Sequence, residues 1–178
     1  EEHDGEGLPI IIANVCRFIF AAANYSASVF PELTARATEL ILTLGSRELV
    51  DTYLPPMLAG QWQGTMALTE PGAGSSLSDI ATTAFPTDQG YYRIKGQKTF
   101  ISAGDHDGVD NVVHLMLAKI EGAPQGARGI SLFVVPKLRP DTSGTLVSND
   151  VTVAGVYHKL GYRGAPITEL SIGENNDC

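Results

Sequence analysis

Tyr53-Leu54-Pro55-Pro56-Met57-Leu58-Ala59-Gly60 is the stretch at which the chain changes character. Before it, apolar residues recur at helical spacing. Ile11, Val15, Phe18, Ile19 and Ala22 follow Leu8-Pro9, and Leu33, Ala37, Leu40, Ile41 and Leu44 form a second stripe. Both stripes are accounted for by ordinary helix packing. Pro31 suits the first turn of the second helix. Gly45 is placed to end that helix, and Ser46 to cap a short third one holding Leu49, Val50 and Tyr53, which Pro55-Pro56 stops. After Gly60 the pattern becomes short runs rich in β-branched and aromatic residues. They are Thr65 to Thr69, Ile80 to Phe85, Tyr91 to Lys95, Thr99 to Ser102, Val112 to Ile120, Ile130 to Val135, Val151 to Leu160 and Thr168 to Ile172. Turn signals separate them: Pro71-Gly72, Asp88-Gln89-Gly90, Lys95-Gly96, Asp107-Gly108 and Pro124-Gln125-Gly126. Such punctuation predicts an antiparallel β barrel or sandwich rather than alternating βαβ units. The fold class is α+β, with a helical piece over residues 1–60 and a β domain over 61–178. There is no internal repeat.

Composition narrows the function classes. A chain of 178 residues can bury roughly 70% of its unfolded surface and needs no metal or disulfide to hold a core. Apolar residues make up 43% and charged residues 18%, which excludes an extended disordered chain and a coiled coil. The net charge of −8 repels phosphate backbones and argues against general nucleic-acid binding. The longest apolar stretch, Leu8 to Phe30, is broken by Asn14, Arg17 and Asn24. It supports neither a signal peptide nor stable membrane insertion. Cys16 and Cys178 stand near opposite ends, which is no disulfide framework and fits a reducing compartment. Cys16 is expected as a small buried apolar residue and Cys178 as an exposed thiol. The chain opens on Glu1 without Met and closes just after a strand-like run, so both ends read as cut.

Two segments carry chemistry. In Met66-Ala67-Leu68-Thr69-Glu70-Pro71-Gly72-Ala73-Gly74-Ser75-Ser76-Leu77 a strand ends at Thr69 and a Pro-Gly turn follows, with glycines flanking Ala73 and two hydroxyls next. Such a loop exposes backbone N–H groups and lets a ligand approach the main chain, as a pyrophosphate or a flavin's polar edge requires. The glycine spacing is neither a Rossmann fingerprint nor a P-loop. In Lys95-Gly96-Gln97-Lys98-Thr99-Phe100-Ile101-Ser102-Ala103-Gly104 a hairpin turn leads into a strand. Alternation there puts Phe100 and Ser102 on one face and Ile101 on the other. An aromatic face beside a hydroxyl could hold a planar heterocycle.

The pair Thr69 to Ser75 and Lys95 to Gly104, about 25 residues apart, resembles the acyl-CoA dehydrogenases. Tyr53 to Gly60 resembles that family's link from helical to β domain, and Arg128 to Pro136 its later core strand. Lys159-Leu160-Gly161-Tyr162-Arg163-Gly164 with Glu169-Leu170 resembles the end of its β domain. Gly104-Asp105-His106-Asp107 and the loop after Pro136 are similar to the branch acting on 3-methylmercaptopropionyl-CoA. The resemblance implies late N-terminal helices plus the middle β domain, with the family's C-terminal helical bundle absent. That bundle supplies the glutamate base, so no catalytic residue is expected in this chain.

The resemblance implies FAD as cofactor. Met66, Leu68 and Thr69 would border it, Thr69 near the pyrimidine edge. Gly74 and Ser75 would approach its pyrophosphate, with Ser75 also at the entry of the acyl-CoA. Phe100 stands where the family usually has a tryptophan against the isoalloxazine; Ile101 and Ser102 follow. Ser102 would reach flavin N5, where threonine is usual. Ser76 replaces an acidic or amide residue. The implied chemistry removes the α-proton and passes the β-hydride to FAD, giving a trans-2-enoyl thioester. The implied partners are acyl-CoA, an electron-transfer flavoprotein or similar acceptor, and further copies in a homo-oligomer. The implied location is the bacterial cytoplasm, or the mitochondrial matrix of a eukaryote.

Other features read as structural. Asp105-His106-Asp107 with Asp110 suggests a metal loop, but the order is not an EF-hand and no second His stands at ligand spacing, so a solvated turn is expected. His3, His114 and His158 are isolated and read as satisfied or surface histidines. Asn24-Tyr25-Ser26 matches a glycosylation sequon placed mid-helix and is given no meaning. Glu70 is read as bonding loop backbone. The competing function is a stand-alone β-barrel binding or scaffold module without flavin. Hydroxyls at Thr69, Ser75 and Ser102 favour the dehydrogenase, because a scaffold has no need of them.

Overall fold

The computed structural model describes residues 5–178. Three helices come first: α1 (Ile10–Ala23), α2 (Tyr25–Leu44) and α3 (Arg47–Leu58). Asn24 is not mid-helix as expected. It separates α1 from α2, and its side chain accepts from Ala27 N at 3.1 Å as the N-cap of α2. Ser46 caps α3 in the same way through Leu49 N.

The prolines behave differently from the expectation. Pro31 lies inside α2, and Pro55-Pro56 lie inside α3 rather than stopping it. Each proline removes the bond to the carbonyl four residues back. For Pro31 and Pro55 those carbonyls belong to Ala27 and Asp51, both exposed, so water can satisfy them. Near Pro31, the Phe30 carbonyl accepts from Gln63 Nε2 at 2.9 Å and Thr34 Oγ1 at 3.0 Å, which ties α2 to the first strand.

The strands are β1 (Trp62–Ala67), β2 (Thr83–Pro86), β3 (Tyr92–Ser102), β4 (Asn111–Ile120), β5 (Ile130–Pro136), β6 (Leu138–Pro140), β7 (Leu146–Ser148), β8 (Val151–Val156) and β9 (Ile167–Ile172). The main sheet runs β1-β4-β2-β3-β9-β8, with β5 also on β4. Its pairing is mostly antiparallel, as expected, but β1 and β2 both run parallel to β4. The two expected runs on either side of Lys95-Gly96 are one continuous strand. Gly96 is no turn: an added Cβ would lie 2.4 Å from Thr82 Oγ1, so the glycine is there for close approach. The small β6–β7 hairpin was not anticipated.

The sheet separates two cores, and alternation along β4 feeds both. Val113 and Leu115 join Ala37, Ile41, Tyr53, Leu54 and Met57 beneath the helices. Met116 and Ala118 join Ala67, Ile94, Ile101, Leu170 and Ile172 on the other face. Helix α2 sits on β1 at Gly64, where an added Cβ would lie 2.6 Å from Ala37 Cβ.

The helix packing expected of the first stripe is not found, since α1 has no buried residue and leaves Ile11 and Phe18 exposed. Cys16 on this helix is exposed rather than buried. Cys178 is half-buried against the second core, and burial pushes its thiol up to about 12.

Candidate functional site

The loop after β1 is built on a two-way bond between Glu70 and Ala73. Glu70 N donates to Ala73 O at 2.8 Å and Ala73 N to Glu70 O at 3.1 Å, closing the Pro71-Gly72 turn. The Glu70 carboxylate points inward, where it accepts from Ala81 N at 2.6 Å, Thr82 N at 3.1 Å and Lys98 Nζ at 2.8 Å. Lys98 has no exposed surface, and its ammonium also donates to Leu68 O at 3.2 Å. One buried ion pair thus fastens the loop to β3 from beneath. Burial pushes the Glu70 carboxyl up, but the Lys98 and Ala81 bonds outweigh it and hold the group below its ordinary value. Burial pulls the Lys98 ammonium down, against the pull of Glu70.

Beyond Ala73 the loop turns outward. Gly74, Ser75 and Ser76 are exposed, and among the described residues their N–H groups have no protein partner. Consecutive free amides of this kind suit an anion. Thr69 is joined to β3 by the bond from Thr99 N to Thr69 O, 2.9 Å, and its Cγ2 lies 3.5 Å from where a Gly74 Cβ would stand.

Strand β3 does not alternate through this region. Lys98 and Thr99 are both buried, and the register against β9 shifts between Lys98 and Ile101. This bulge puts Phe100 at φ 59° with 60% of its surface exposed, followed by Ala103 at φ 51°. The expected single face for Phe100 and Ser102 therefore cannot rest on alternation; the bulge sets both directions. The Phe100 ring lies 4.7 Å from that of Tyr157, tilted by 37°. Ser102 is half-buried beside the Tyr162 hydroxyl.

The fold thus gathers Leu68, Thr69, Gly74 and Phe100 around the contact of the two segments. Ser75 stands on the exposed loop and Ser102 farther along β3. Met66 packs against the core under the helices, and the Ile101 side chain is buried in the opposite core. The Ile101 main chain is buried too, its carbonyl accepting from Thr168 Oγ1 at 3.2 Å. Glu70 bonds loop backbone, as its sequence setting indicated. Lys98 and Tyr157 were not foreseen. A carboxylate inside a loop that must pack was a signal that a cation lay somewhere, but nothing in the spacing said which.

Among the described residues no three His, Cys, Asp or Glu side chains gather as a metal site. Asp105 pairs with Lys137 at 2.7 Å, and His106 Nδ1 accepts from Gly108 N at 3.1 Å within its own turn. His158 is exposed. His114 is fully buried, with Nδ1 2.7 Å from Thr65 Oγ1 and Nε2 without a partner. It is only half satisfied, and burial lowers it to about 4. His3 lies outside the described residues.

A helical layer on a curled sheet, with a staked glycine loop against a bulged aromatic strand, defines one class of protein. The chain belongs to the acyl-CoA dehydrogenase family, whose middle-domain model matches residues 65–174. Among curated proteins it is 48% identical over 160 residues to a butyryl-CoA dehydrogenase of Syntrophomonas wolfei, covering 89% of this chain and 26% of that protein. It is 44% identical over 184 residues to the 3-methylmercaptopropionyl-CoA dehydrogenase of Ruegeria pomeroyi, covering 98% and 31%. Among solved structures, an acyl-CoA dehydrogenase of Bacillus anthracis complexed with FAD superposes with a TM-score of 0.73 at 25% identity, covering 96% of this chain and 26% of that one. The chain spans about a quarter to a third of the length of these relatives.

Proposed function

We propose that this chain forms part of an acyl-CoA dehydrogenase that oxidises the α,β bond of a short acyl-CoA thioester to the trans-2-enoyl form. The observation that carries this is the bond from Thr99 N to Thr69 O, which joins the loop of unpaired amides to the strand that carries the exposed Phe100 ring. These groups fit FAD: free N–H groups suit its pyrophosphate, and an open aromatic face suits its ring. When bound, FAD supplies the hydride acceptor.

In this reading Gly74 and Ser75 hold the pyrophosphate, with Ser75 also meeting the acyl-CoA. Leu68 and Thr69 border the ring system, Phe100 covers part of it, and Ile101 supports the strand there from the core side. Met66 acts from behind, fixing β1 against the helices. Ser102 offers a hydroxyl where charge develops on transfer. Glu70 is not the base, because its carboxylate is held ionised by Lys98 and occupied by loop amides. The base comes from outside these 178 residues. An electron-transfer flavoprotein or similar acceptor takes the electrons, the whole protein is a homo-oligomer, and its place is the bacterial cytoplasm, or the mitochondrial matrix of a eukaryote. No helix among the described residues is long and apolar enough to cross a membrane. The short acyl group rests on the names of the two curated relatives.

The test uses the intact protein. It should purify yellow, and butyryl-CoA added without oxygen should bleach the flavin. Ser102→Ala should slow that bleaching about 10- to 150-fold, as expected for one hydrogen bond to developing charge of roughly 1.5–3 kcal/mol. Ser102→Thr should be mild. A colourless protein that takes up no FAD would favour the scaffold reading instead.

A further inference from the structure

Phe100 has a conformation that needs a cause. A bulky aromatic at φ 59° is a strained outlier that persists only when its surroundings fix it. Most of the ring faces solvent, so the core does not hold it. What lies against it is Tyr157, just past the end of β8, at 4.7 Å between ring centres.

Tyr157 is itself anchored at both ends. Its backbone N donates to Ile167 O at 2.8 Å. Its hydroxyl accepts from Thr99 Oγ1 at 2.5 Å and donates to Glu169 Oε2 at 3.3 Å. Glu169 is in turn held by Gln97 Nε2. The ring beside Phe100 is therefore pinned by Thr99 of β3 directly, by Gln97 through Glu169, and by the backbone of β9. We propose that Tyr157 is a positioning residue: it backs the Phe100 ring and fixes the angle at which that ring meets a flat ligand. This rests on the flavin reading of Phe100 given above.

The experiment compares Tyr157→Phe, Tyr157→Ala, Phe100→Ala and the double Tyr157→Ala/Phe100→Ala in the intact protein. FAD affinity is measured by titrating apoprotein, and the flavin environment by visible circular dichroism of the loaded protein. Phe100→Ala and Tyr157→Ala should each weaken FAD binding about 3- to 10-fold, the range of an aromatic pair, and alter the visible dichroism in the same sense. The double variant should lose no more than Phe100→Ala alone, because Tyr157 acts through that ring. Tyr157→Phe keeps the ring but not the hydroxyl anchor. It should fold as the parent does and still change the dichroism, a signal that plain loss of stability would not produce. If Phe100→Ala shifts both readouts while neither Tyr157 variant does, Tyr157 positions nothing and the flavin reading stands. If Phe100→Ala shifts neither, the flavin reading of Phe100 falls and this proposal with it. Additive losses in the double variant would mean that Tyr157 touches the ligand itself, which also overturns the positioning role.

Discussion

Lys98 takes its ammonium beneath the surface and meets a carboxylate there. Removing one partner of such a pair strands the other charge, which costs about 3–5 kcal/mol. Lys98→Met should therefore destabilise the protein by that amount in denaturant titration. Lys98→Met/Glu70→Gln should recover at least half, since no charge is left stranded and the new amide oxygen can still accept from Ala81 N. A double variant no more stable than the single would show that the charge of Glu70 is not what makes the loss. His114 makes a pH-dependent contribution of its own. The unfolded chain takes up a proton near pH 6.5, whereas burial delays this in the folded state to about 4. Protons thus favour unfolding in that window, and stability should fall by about 3 kcal/mol as pH drops across it. Asp105 and Lys137 face this imidazole with opposing effects. His114→Gln should flatten the slope between pH 6.5 and 4, read from thermal melts at fixed ionic strength. Neither buried group was legible beforehand. A lysine between Gln97 and Thr99 looks like any strand-surface lysine, and a lone histidine shows no sign of its burial until β4 is known to have cover on both faces.

At the level of elements, Gly64 sets how closely α2 approaches β1. A methyl there would meet Ala37 Cβ at 2.6 Å and Met57 Cε at 2.8 Å. Gly64→Ala should destabilise the protein by about 1–3 kcal/mol, with the loss seen at the helix–sheet junction by hydrogen exchange in α2. An unchanged melting temperature would show that the junction has slack. Most elements were legible because their periodicities are clean: α2, β4 and β9 appear close to where spacing puts them. The failures have physical causes. Pro55-Pro56 reads as a stop only if the carbonyls they leave unpaired have nowhere to go, and exposed Asp51 has water. Lys95-Gly96 reads as a turn because glycine usually marks one, whereas here it admits Thr82. The bulge at Phe100 breaks the alternation that sequence reading assumes. The two motif segments were recognisable, but the ion pair and the Thr69–Thr99 bond that join them depend on contacts across the fold.

For the molecule as a whole, the site described is open on one side: Phe100, Ser75 and Gly74 all face outward. Ligand affinity depends on contacts arranged in advance around the ligand. The 178-residue chain by itself should show no acyl-CoA-dependent dye reduction and should bind FAD weakly or not at all. Turnover by the purified chain would refute this.

The pairing of β3 with β9 also bears on how the protein is made. Gln97 and Glu169 touch in the finished structure although 72 residues separate them. At about 5–20 residues/s of synthesis, a nascent chain must wait roughly 4–14 s between making one strand and making its partner. During that interval the most apolar end of β3, Thr99-Phe100-Ile101, emerges without its β9 partner, with the Thr69 carbonyl and the Ala67 side of the core as the native contacts already made. Distant pairing of this kind slows folding and leaves strand edges open to other chains. Yield in cells should therefore respond to chaperone supply and to slower growth temperature more strongly than the stability of the finished fold would suggest.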